Sequence, residues 1–354
     1  MTNQPSDVVV ALSGGLDSSL AAALLKSGGW KVYGLHFLIP TSPSETEKRI
    51  NAVHKIADHL QIPLTILDLK ETFNQLIIDP FVHSYLKGLT PNPCIVCNQL
   101  IKFGYLFQYA EQKGIHCLAT GHYVRVRTKD ESTYVDLLRG KDKRKEQSYF
   151  LHRLTQACLS RSVFPLGDMD KDKVRRKACE MKLPVDLVSE SQEICFIPEK
   201  NYRLFIENRR GVEANKRGNI INSHGEILGE HTGTYRYTIG QRQGLGIASS
   251  RPYYVKRISP ETNEVVVGRK EELFLERVEV DSFEWIGAHP SQNVIKAQAQ
   301  VRYRHIPAPG RLEVISSDKM RFIFDMPQWG ITPGQALVCY QGDQVLGGGW
   351  ILQK

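Results

Sequence analysis

The sequence predicts an α/β domain with a doubly wound parallel sheet, followed by a small central domain and a C-terminal β-barrel. Strand-like and helix-like segments alternate as far as about residue 200, which is typical of parallel sheets covered by helices. The remainder consists of short apolar runs separated by turn residues, a pattern typical of small barrels. The 354 residues are also too many for one ordinary core. We therefore predict domains at 1–205, 206–272 and 273–354.

The predicted elements of the first domain follow from hydrophobic periodicity. Unbroken apolar runs predict buried strands, and the helical spacing of Ile50, Val53, Ile56 and Leu60 predicts an amphipathic helix. In chain order we expect a strand at Asp7–Leu12, a helix at Ser18–Leu25, a strand at Val32–Phe37, a helix at Glu45–Leu60, and strands at Leu64–Leu69 and Cys117–Gly121.

From Gly211 onwards the sequence favours strands. Short runs rich in Val and Ile are separated by turn signals such as Ser-His-Gly and Pro-Glu-Thr-Asn. The predicted strands include Gly218–Ile221, Tyr253–Val255, Glu264–Val267 and Arg321–Phe324. The stretch Arg269–Leu275 is the predicted joint between the central and C-terminal domains.

The charge balance favours a polyanionic partner. Lys and Arg outnumber Asp and Glu by 46 to 38, which gives a net charge of +8. The N-terminal residues contain no basic segment and no long apolar run, and no run approaches the ~18 apolar residues that a membrane span requires. Seven unevenly spaced cysteines do not suggest a secreted disulfide framework. We therefore expect a cytoplasmic protein that binds nucleic acid and no membrane.

A glycine-rich loop, Ser13–Ser19, lies between the first predicted strand and helix. Two glycines let the backbone approach an anion closely, and N–H groups at a helix N-terminus attract phosphate. The loop lacks the lysine of a Walker A motif. Asp17 is acidic beside the expected phosphate, so we predict that it holds a cation such as Mg²⁺. A simple helix cap is the alternative, but a cap needs only one serine.

The cysteines give the second chemical signal. Cys94 and Cys97 form a Cys-x-x-Cys pair on what the prolines predict to be a stiff loop, and Cys195 follows much later in the chain. A zinc site usually needs two such pairs, and a thioredoxin-like pair normally begins a helix after a strand, so the sequence favours neither. The other cysteines lie in apolar contexts and are predicted to be packed thiols: Cys117, Cys158, Cys179 and Cys339.

Further motifs occur in one order along the chain. They are Asn92-Pro93, Cys97-Asn98, Ile101-Lys102-Phe103, Ala119-Thr120-Gly121-His122-Tyr123, Lys145 with Gln147-Ser148-Tyr149-Phe150, Glu193-Ile194-Cys195-Phe196-Ile197, Thr238–Arg242, Gly244-Leu245-Gly246, Arg302-Tyr303-Arg304, Thr332–Gln335 and Gly347–Gly349. The glycine-rich loop resembles the pyrophosphate (PP) loop of the N-type ATP pyrophosphatases, which cleave ATP between its α and β phosphates. All these motifs together resemble the bacterial tRNA-specific 2-thiouridylases, the MnmA/TrmU family.

The resemblance implies a PP-loop enzyme that uses ATP to replace the C2 oxygen of uridine 34 with sulfur in tRNAs for lysine, glutamate and glutamine. Cys97 would be the nucleophile and Cys195 the persulfide carrier. The sulfur donor of the enzyme would be a persulfide carrier protein or sulfide. ATP would contact Ala11, Leu12, Ser13, Gly14, Gly15, Leu16, Asp17 and Ser18, with Phe37 and Gly121 near the adenine and ribose. The tRNA would contact His122, Lys145, Glu146, Gln147, Arg302, Tyr303 and Gln335.

This chemistry suits the residue types. Adenylation converts the uridine oxygen into part of a good leaving group, AMP. A persulfide is a strong nucleophile because its sulfur attacks as an anion. A second thiolate can attack the persulfide, release the sulfur and close a disulfide, so two cysteines must meet. The target base must also leave its stack to reach the ATP.

One position departs from the family pattern. Family members usually carry Asp where this chain has Cys94. Three cysteines, Cys94, Cys97 and Cys195, form a plausible ligand set for a [4Fe–4S] cluster with one open iron, as in related sulfur-transfer enzymes. The sequence leaves the persulfide route and the cluster route open.

Two other functions also remain open at this point. A PP-loop ligase for a small molecule would need neither the β-rich half nor the cysteine pair, and a non-catalytic RNA-binding protein would not need Asp17 or Cys195. Basic clusters at Arg139–Lys145, Lys171–Lys177 and Arg302–Arg311 are either solvated faces or phosphate contacts. Their combination with tyrosine favours contact with RNA, and DNA is not an expected partner.

Overall fold

The computed structural model describes residues 6–128, 133–186, 194–198, 201–210 and 216–353. This part of the chain forms a five-stranded parallel sheet, a four-stranded sheet and an eight-stranded sheet that contains a closed barrel. The predicted α/β domain, small central domain and C-terminal barrel are confirmed. No helix among these residues has both the length and the apolar character needed to cross a membrane.

The α/β domain is built around the parallel sheet. Its elements are β1 (Asp7–Ala11), α1 (Leu16–Ser27), β2 (Lys31–Leu38), α2 (Pro43–Leu60), β3 (Leu64–Asp68), α3 (Lys70–Phe73), α4 (Asp79–Leu86), α5 (Pro93–Val96), α6 (Gly104–Gln112), β4 (Cys117–Ala119), β5 (Val124–Thr128), β6 (Val135–Arg139), α7 (Ser148–Leu151), α8 (Gln156–Leu159), β7 (Ser162–Val163), α9 (Lys171–Glu180) and α10 (Tyr202–Arg210). The strand order is β3-β2-β1-β4-β7. Because β2 and β4 flank β1 on opposite sides, a crevice opens at the carboxyl ends of β1 and β4.

Burial explains why these segments form. Val8, Val9 and Val10 of β1 are fully buried, because helices cover both faces of the sheet. Each such side chain stabilises the fold by about 1.5–3 kcal/mol relative to an exposed one. Helix α2 begins after Ser42, whose hydroxyl accepts a hydrogen bond from the backbone N–H of Glu45 at 3.3 Å.

Two long helices contain π-helical segments. Residues 70–86 run through α3, a π-helical segment at Asn74–Ile78 and α4, and residues 93–112 run through α5, a π-helical segment at Cys97–Phe103 and α6. Such segments are rare and are frequent at functional sites. Cys94 and Cys97 therefore lie on a helix, and our prediction of a loop there is wrong. Pro93 occupies the first turn, where its missing N–H costs no hydrogen bond.

An antiparallel hairpin, β5–β6, interrupts the parallel pattern that we expected as far as residue 200. β6 pairs with the barrel strand β17 (Gln344–Ile351) through Leu138 and Gln344. The sequence Val-Arg-Val-Arg-Thr of β5 alternates apolar and charged residues, which suits a sheet with one covered face. The hairpin therefore attaches the α/β domain to the barrel.

The β-rich half forms the other two sheets. The central sheet has the order β10-β11-β8-β9, with β8 (Gly218–Asn222), β9 (Ile227–His231), β10 (Tyr254–Ser259) and β11 (Glu264–Gly268). The barrel consists of β12 (Phe274–Trp285), β13 (Val294–Gln300), β14 (Ala308–Val314), β15 (Met320–Trp329), β16 (Ala336–Gln341) and β17, and the pairing of β12 with β17 closes it. Each strand that we predicted in this half overlaps an observed strand.

One glycine of the Gly347–Gly349 motif makes room for the α/β domain. A Cβ on Gly348 would lie 2.5 Å from the ring of His152. His152 is fully buried, and its Nδ1 donates to the carbonyl of Tyr149 at 2.8 Å. Burial lowers the pKa of His152 to about 3, so its ring is neutral. At this position the barrel and the α/β domain are therefore in direct packing contact.

Candidate active site

The glycine-rich loop joins β1 to α1 at the carboxyl edge of the sheet. The backbone N–H of Ser13 donates to Ser18 Oγ at 3.1 Å, and the hydroxyls of Ser18 and Ser19 donate to the carbonyl of Gly15 at 3.1 and 2.9 Å. Gly15 is the N-cap residue of α1, and no side chain caps the helix there. The alternative of a serine cap is therefore wrong. The hydroxyls instead hold the loop in shape, and the N-terminus of α1 faces the anion site.

Two glycines allow the close packing of this loop. Gly14 has φ +79°, and a Cβ there would lie 2.9 Å from Ala52 Cβ of α2. Gly121 follows β4, and a Cβ there would lie 2.6 Å from the carbonyl carbon of Asp17 and 2.7 Å from the nitrogen of Ser18. Real Cβ atoms do not approach so closely, so the end of β4 contacts the loop only because residue 121 is glycine. Contact of Gly121 with ribose stays a prediction.

Asp17 lies in a network with Lys171 and Tyr123. Lys171 Nζ is 2.7 Å from Asp17 Oδ1, and the Tyr123 hydroxyl donates to the same oxygen at 2.7 Å. Lys171 is only 4% exposed, and its backbone N–H donates to Asp142, so the start of α9 delivers the ammonium group to the loop. Lys171 is therefore not part of a solvated face, which was one of the two alternatives that the sequence left open for Lys171–Lys177.

The groups around Asp17 do not fit a dedicated Mg²⁺ site. Mg²⁺ takes several oxygen ligands, whereas the observed partners of Asp17 are an ammonium group and a phenol. Lys171 supplies the positive charge that we expected from a metal ion. A carboxylate paired in this way faces a phosphate at a lower electrostatic cost.

Strand β2 places two side chains next to the loop. His36 Nδ1 donates to the carbonyl of Leu12 at 2.7 Å, and burial lowers the pKa of His36, so its ring is neutral. Phe37 packs in the same hydrophobic cluster as Cys97 and Phe196. Phe37 therefore connects the carboxyl edge of the sheet with the cysteines, and its contact with adenine stays a prediction.

The fold gathers Cys94, Cys97 and Cys195 into one sulfur site. Cys97 is buried, Cys94 is half-buried and Cys195 is an exposed residue. Burial is the main cause that raises the pKa of Cys94 to about 11 and that of Cys97 to about 12, and desolvation also raises the pKa of Cys195. The neighbouring groups Cys195 and Cys94 raise the pKa of Cys97 further. All three thiols are protonated at neutral pH.

Lys102 is a cation of the sulfur site that sequence reasoning missed. It lies on the π-helical segment that starts at Cys97, and its charge lowers the pKa of all three thiols against the effect of burial. A cation beside a thiol stabilises the thiolate and so increases its reactivity. The sequence signal was the motif Ile101-Lys102-Phe103, which had no assigned role.

The three cysteines do not form a metal site in this arrangement. The described residues include all three, and within them no group of three His, Cys, Asp or Glu side chains is placed to hold a metal ion. The residues present therefore do not fit a [4Fe–4S] cluster as they stand. Among the other cysteines, Cys339 is buried, whereas Cys179 is exposed, so the prediction of a packed thiol is wrong for Cys179.

A cleft of about 690 Å³ lies where the three domains meet. Two predicted tRNA contacts line it: Arg302, whose Nη1 donates to the carbonyl of Trp329 at 3.1 Å, and Gln335, whose Nε2 donates to the carbonyl of Thr90 at 2.7 Å. The other lining residues are Thr90, Tyr202, Arg203, Thr238, Ile239, Gly240, Gln241, Gln243, Gly244, Trp329, Gly330 and Thr332. No Asp or Glu occurs among these described residues, so the cleft suits a polyanion.

The remaining predicted tRNA contacts lie in other places. The ring of Tyr303 packs against that of Phe150 with centroids 4.4 Å apart. Gln147 Oε1 accepts a hydrogen bond from the backbone N–H of Tyr123 at 2.9 Å, which ties the segment Lys145–Gln147 to the network of Asp17. His122 is buried and bonds Thr120 Oγ1 at 2.8 Å, and burial lowers its pKa well below the usual value. Their contacts with tRNA stay predictions.

Three family models match the chain. They are described as a tRNA methyl transferase HUP domain at residues 6–199, a tRNA methyl transferase PRC-barrel domain at residues 204–269, and an aminomethyltransferase beta-barrel domain at residues 276–351. Among solved structures, a predicted subunit of tRNA methyltransferase from Methanocaldococcus jannaschii is 18% identical, with a TM-score of 0.35, over 58% of this chain and 88% of that chain. That likeness is too remote to support any inference.

Curated relatives are much more similar. The tRNA-specific 2-thiouridylase MnmA of Syntrophotalea carbinolica is 43% identical over 99% of this chain and 100% of its own length. The protein of the same name from Carboxydothermus hydrogenoformans is 44% identical over 98% of both chains. Such identity along the whole length of both partners shows that the chain belongs to the tRNA-specific 2-thiouridylase family.

Proposed function

We propose that the protein uses ATP to replace the C2 oxygen of uridine 34 of tRNA with sulfur. The position of the sulfur site carries this proposal. Cys97 shares a hydrophobic cluster with Phe37 and Leu69, which lie at the carboxyl ends of β2 and β3. The glycine-rich loop follows the carboxyl end of β1. An anion-binding loop and a set of thiols therefore share one edge of the sheet, as adenylation followed by sulfur transfer requires.

The first step takes place at the glycine-rich loop. The N-terminus of α1 attracts the phosphates of ATP, and Lys171 offsets the charge of Asp17. The C2 oxygen of the uridine attacks the α-phosphorus, and the bond to pyrophosphate breaks. The base then carries an adenylate, from which AMP is a good leaving group. No Mg²⁺ held by the chain is part of this step.

The second step takes place at the sulfur site. A persulfide carrier protein transfers its outer sulfur to the Cys195 thiol and leaves as a thiol itself. Residue 195 is exposed as a whole, although the surrounding protein desolvates its sulfur. The outer sulfur of the Cys195 persulfide attacks C2, and AMP leaves. The thiolate of Cys97 then attacks Cys195 Sγ, the bond to the transferred sulfur breaks, and a Cys97–Cys195 disulfide forms. Two molecules of an external thiol reduce this disulfide before the next turnover and are themselves joined in a disulfide.

The raised pKa values fit a site that rests in an unreactive state. With a pKa of about 12, Cys97 carries almost no thiolate at neutral pH. Lys102 favours the thiolate, and it offers the charge that an anionic persulfide on Cys195 needs. We therefore expect bound tRNA to lower the pKa of Cys97 before the Cys97 thiolate attacks.

The persulfide route is preferred to the cluster route because the three thiols are not arranged around a metal ion. Cys94 stays a predicted catalytic residue in either route. Anaerobic purification followed by iron analysis tests this choice. Full activity without iron supports the persulfide route. If the protein instead contains stoichiometric iron, and Cys94→Ser loses both the iron and the activity, the cluster route is supported.

The function is tested by incubating the protein with ATP, a persulfide donor and unmodified tRNA transcripts for lysine, glutamate or glutamine, and then analysing the nucleosides by mass spectrometry. We expect 2-thiouridine at position 34, one AMP per thiolation, and no product with Cys97→Ser or Cys195→Ser. Cys179→Ser, which changes another exposed cysteine, should retain activity. Wild-type protein that makes no thiolated nucleoside would refute the proposal.

The same assay separates the two alternatives. AMP release that does not depend on tRNA would indicate a PP-loop ligase for a small molecule. Binding of tRNA without any AMP release would indicate a non-catalytic RNA-binding protein. The proposed enzyme releases AMP only when tRNA is present.

A further inference from the structure

Two large apolar side chains are exposed on chain segments whose other residues, Arg302 and Trp329, line the cleft between the domains. Ile306 is 84% exposed and Met326 is 70% exposed, the two highest values among the large hydrophobic residues described. Single exposed apolar residues need no explanation, whereas exposed apolar surface that is rimmed by polar residues marks an interaction site. The question is therefore which partner this pair would contact.

The two side chains lie on segments that are joined to each other. Ile306 ends the turn Arg302–Ile306, and Met326 begins the segment Met326–Trp329; we call these two segments together the cleft rim. His305 Nε2 donates to Gln328 Oε1 at 3.2 Å, and Arg302 Nη1 donates to the carbonyl of Trp329 at 3.1 Å. Gln328 Nε2 in turn donates to the carbonyl of Met326 at 2.7 Å. The rim is thus a fixed structure, and not two independent loops.

The backbone of the rim is also unusual. Arg304 has φ +66°, a left-handed conformation that is unfavourable for a residue with a side chain. Such conformations persist where the surrounding structure enforces them, and they cluster at functional sites. The turn at Arg304 directs the chain so that Ile306 remains in solvent while Tyr303 packs against Phe150.

The polar groups of the rim favour a nucleic acid. Arg302 lines the cleft and lies over the ring of Trp329, with its guanidinium carbon 5.9 Å from the ring centroid. Two acidic residues lie near the rim: Glu146, whose charge acts on Tyr303, and Asp325, which precedes Met326 in the chain. Arg302 and Arg304 lie on the rim itself. Arginines beside aromatic rings suit single-stranded RNA.

We propose that the rim holds open the anticodon loop of the tRNA, with Ile306 and Met326 packed against the bases beside the extruded uridine. A uridine that leaves its stack exposes the faces of its neighbours, and apolar side chains that fill such gaps stabilise the unstacked form. The arginines of the rim contact the backbone phosphates next to these bases. This inference rests on the proposed thiolation of tRNA and adds residues that select an open loop.

The test is a set of single and double alanine variants, Ile306→Ala and Met326→Ala, assayed for thiolation of full-length tRNA. Burial of an Ile or Met side chain changes an equilibrium constant by about tenfold or more, so we expect kcat/KM for tRNA to fall about tenfold for each variant and further for the double variant. A transcript with 2-aminopurine beside position 34 should brighten when wild-type protein unstacks the loop, and less so with the double variant.

The matched control is Ile227→Ala, which changes an isoleucine that is 64% exposed on β9 of the central sheet. This control should retain the wild-type kcat/KM and fluorescence, and all variants should keep the wild-type affinity for ATP. If wild-type protein thiolates tRNA and the double variant does so within twofold of it, the rim has no such role. If wild-type protein does not thiolate tRNA at all, the proposed function fails first.

Discussion

The nucleotide loop and the sulfur site lie at the same edge of one sheet but are prepared to different degrees. The loop is held by its own serine hydroxyls, by contact with Gly121 and by the pair of Asp17 with Lys171. The sulfur site holds three protonated thiols whose pKa values are raised by burial, with Lys102 acting in the opposite direction. One site is therefore ready for its ligand, and the other rests in an unreactive form.

This difference follows from the chemistry of the two ligands. ATP is abundant and stable, so a site that is fixed in advance lowers the cost of binding it. A reactive thiolate or persulfide would be lost to side reactions if it were always exposed, because oxidation follows thiolate character and access. In the proposed mechanism, a Cys97 thiol that stays protonated until tRNA binds would limit that loss.

The largest predicted effect is a loss of ATP affinity when the glycine-rich loop is forced to shift. Gly121→Ala puts a methyl group within 2.6–2.8 Å of the backbone of Asp17 and Ser18, so the loop must shift. Overpacking of this kind costs about 1–3 kcal/mol, and we expect the Kd for ATP to rise about tenfold to a hundredfold. Isothermal titration with ATP measures this. Gly229→Ala is the control, because a Cβ there meets no atom within 4 Å; equal ATP affinity in both variants would contradict the prediction.

A smaller effect is expected when the charge beside the loop is removed. Lys171→Met keeps the volume of the side chain but leaves Asp17 facing the phosphates without its ammonium partner. Because Asp17 is partly open to solvent, we expect about a tenfold loss of ATP affinity, between the values for exposed and buried ion pairs. Lys173→Met, an exposed lysine on the same helix, should bind ATP normally. Unchanged affinity in Lys171→Met would show that Asp17 needs no such partner.

At the sulfur site, Lys102→Met should raise the pKa of Cys195 because one positive charge is lost. We expect alkylation of Cys195 by iodoacetamide at pH 8 to slow about fivefold, as read by peptide mass spectrometry. Lys113→Met, which changes an exposed lysine directly after the same helical run, is the control. Faster or equal alkylation in Lys102→Met would mean that another group governs the thiol.

The smallest effect concerns stability in alkali. Below pH 9 the Cys97 thiol is protonated in both the folded and the unfolded chain, so it adds no pH dependence. Between its ordinary pKa of 9.0 and its folded pKa of about 12, only the unfolded chain releases the proton, and the free energy of unfolding falls by up to about 1.4 kcal/mol per pH unit. Urea unfolding between pH 8 and 10 should therefore show a steeper decline for wild type than for Cys97→Ser, and parallel declines would refute a raised pKa.

Local patterns were sufficient for most of the fold. Periodicity and turn residues predict the parallel strands, the helices α1 and α2, and the β-rich half. They do so because burial on one or both faces of an element determines the spacing of apolar residues along the chain. The sequence missed two features for one reason. The antiparallel hairpin β5–β6 and the buried Lys171 are set by distant partners, the strand β17 and Asp17. The helix at Cys94 was missed because it has only four residues and continues into the π-helical segment that follows it.

The sequence by itself determined the chemistry that is available: a glycine-rich loop for phosphate, and cysteines at three positions. The tertiary structure decided how these groups work together, since charge and reactivity depend on surroundings that no short segment contains. Only in the fold does Lys171 pair with Asp17, Lys102 act on three thiols, and Arg302 meet Trp329 at the rim of a cleft. Each of these contacts joins residues far apart in the chain or depends on burial by several elements, and therefore exists only after packing.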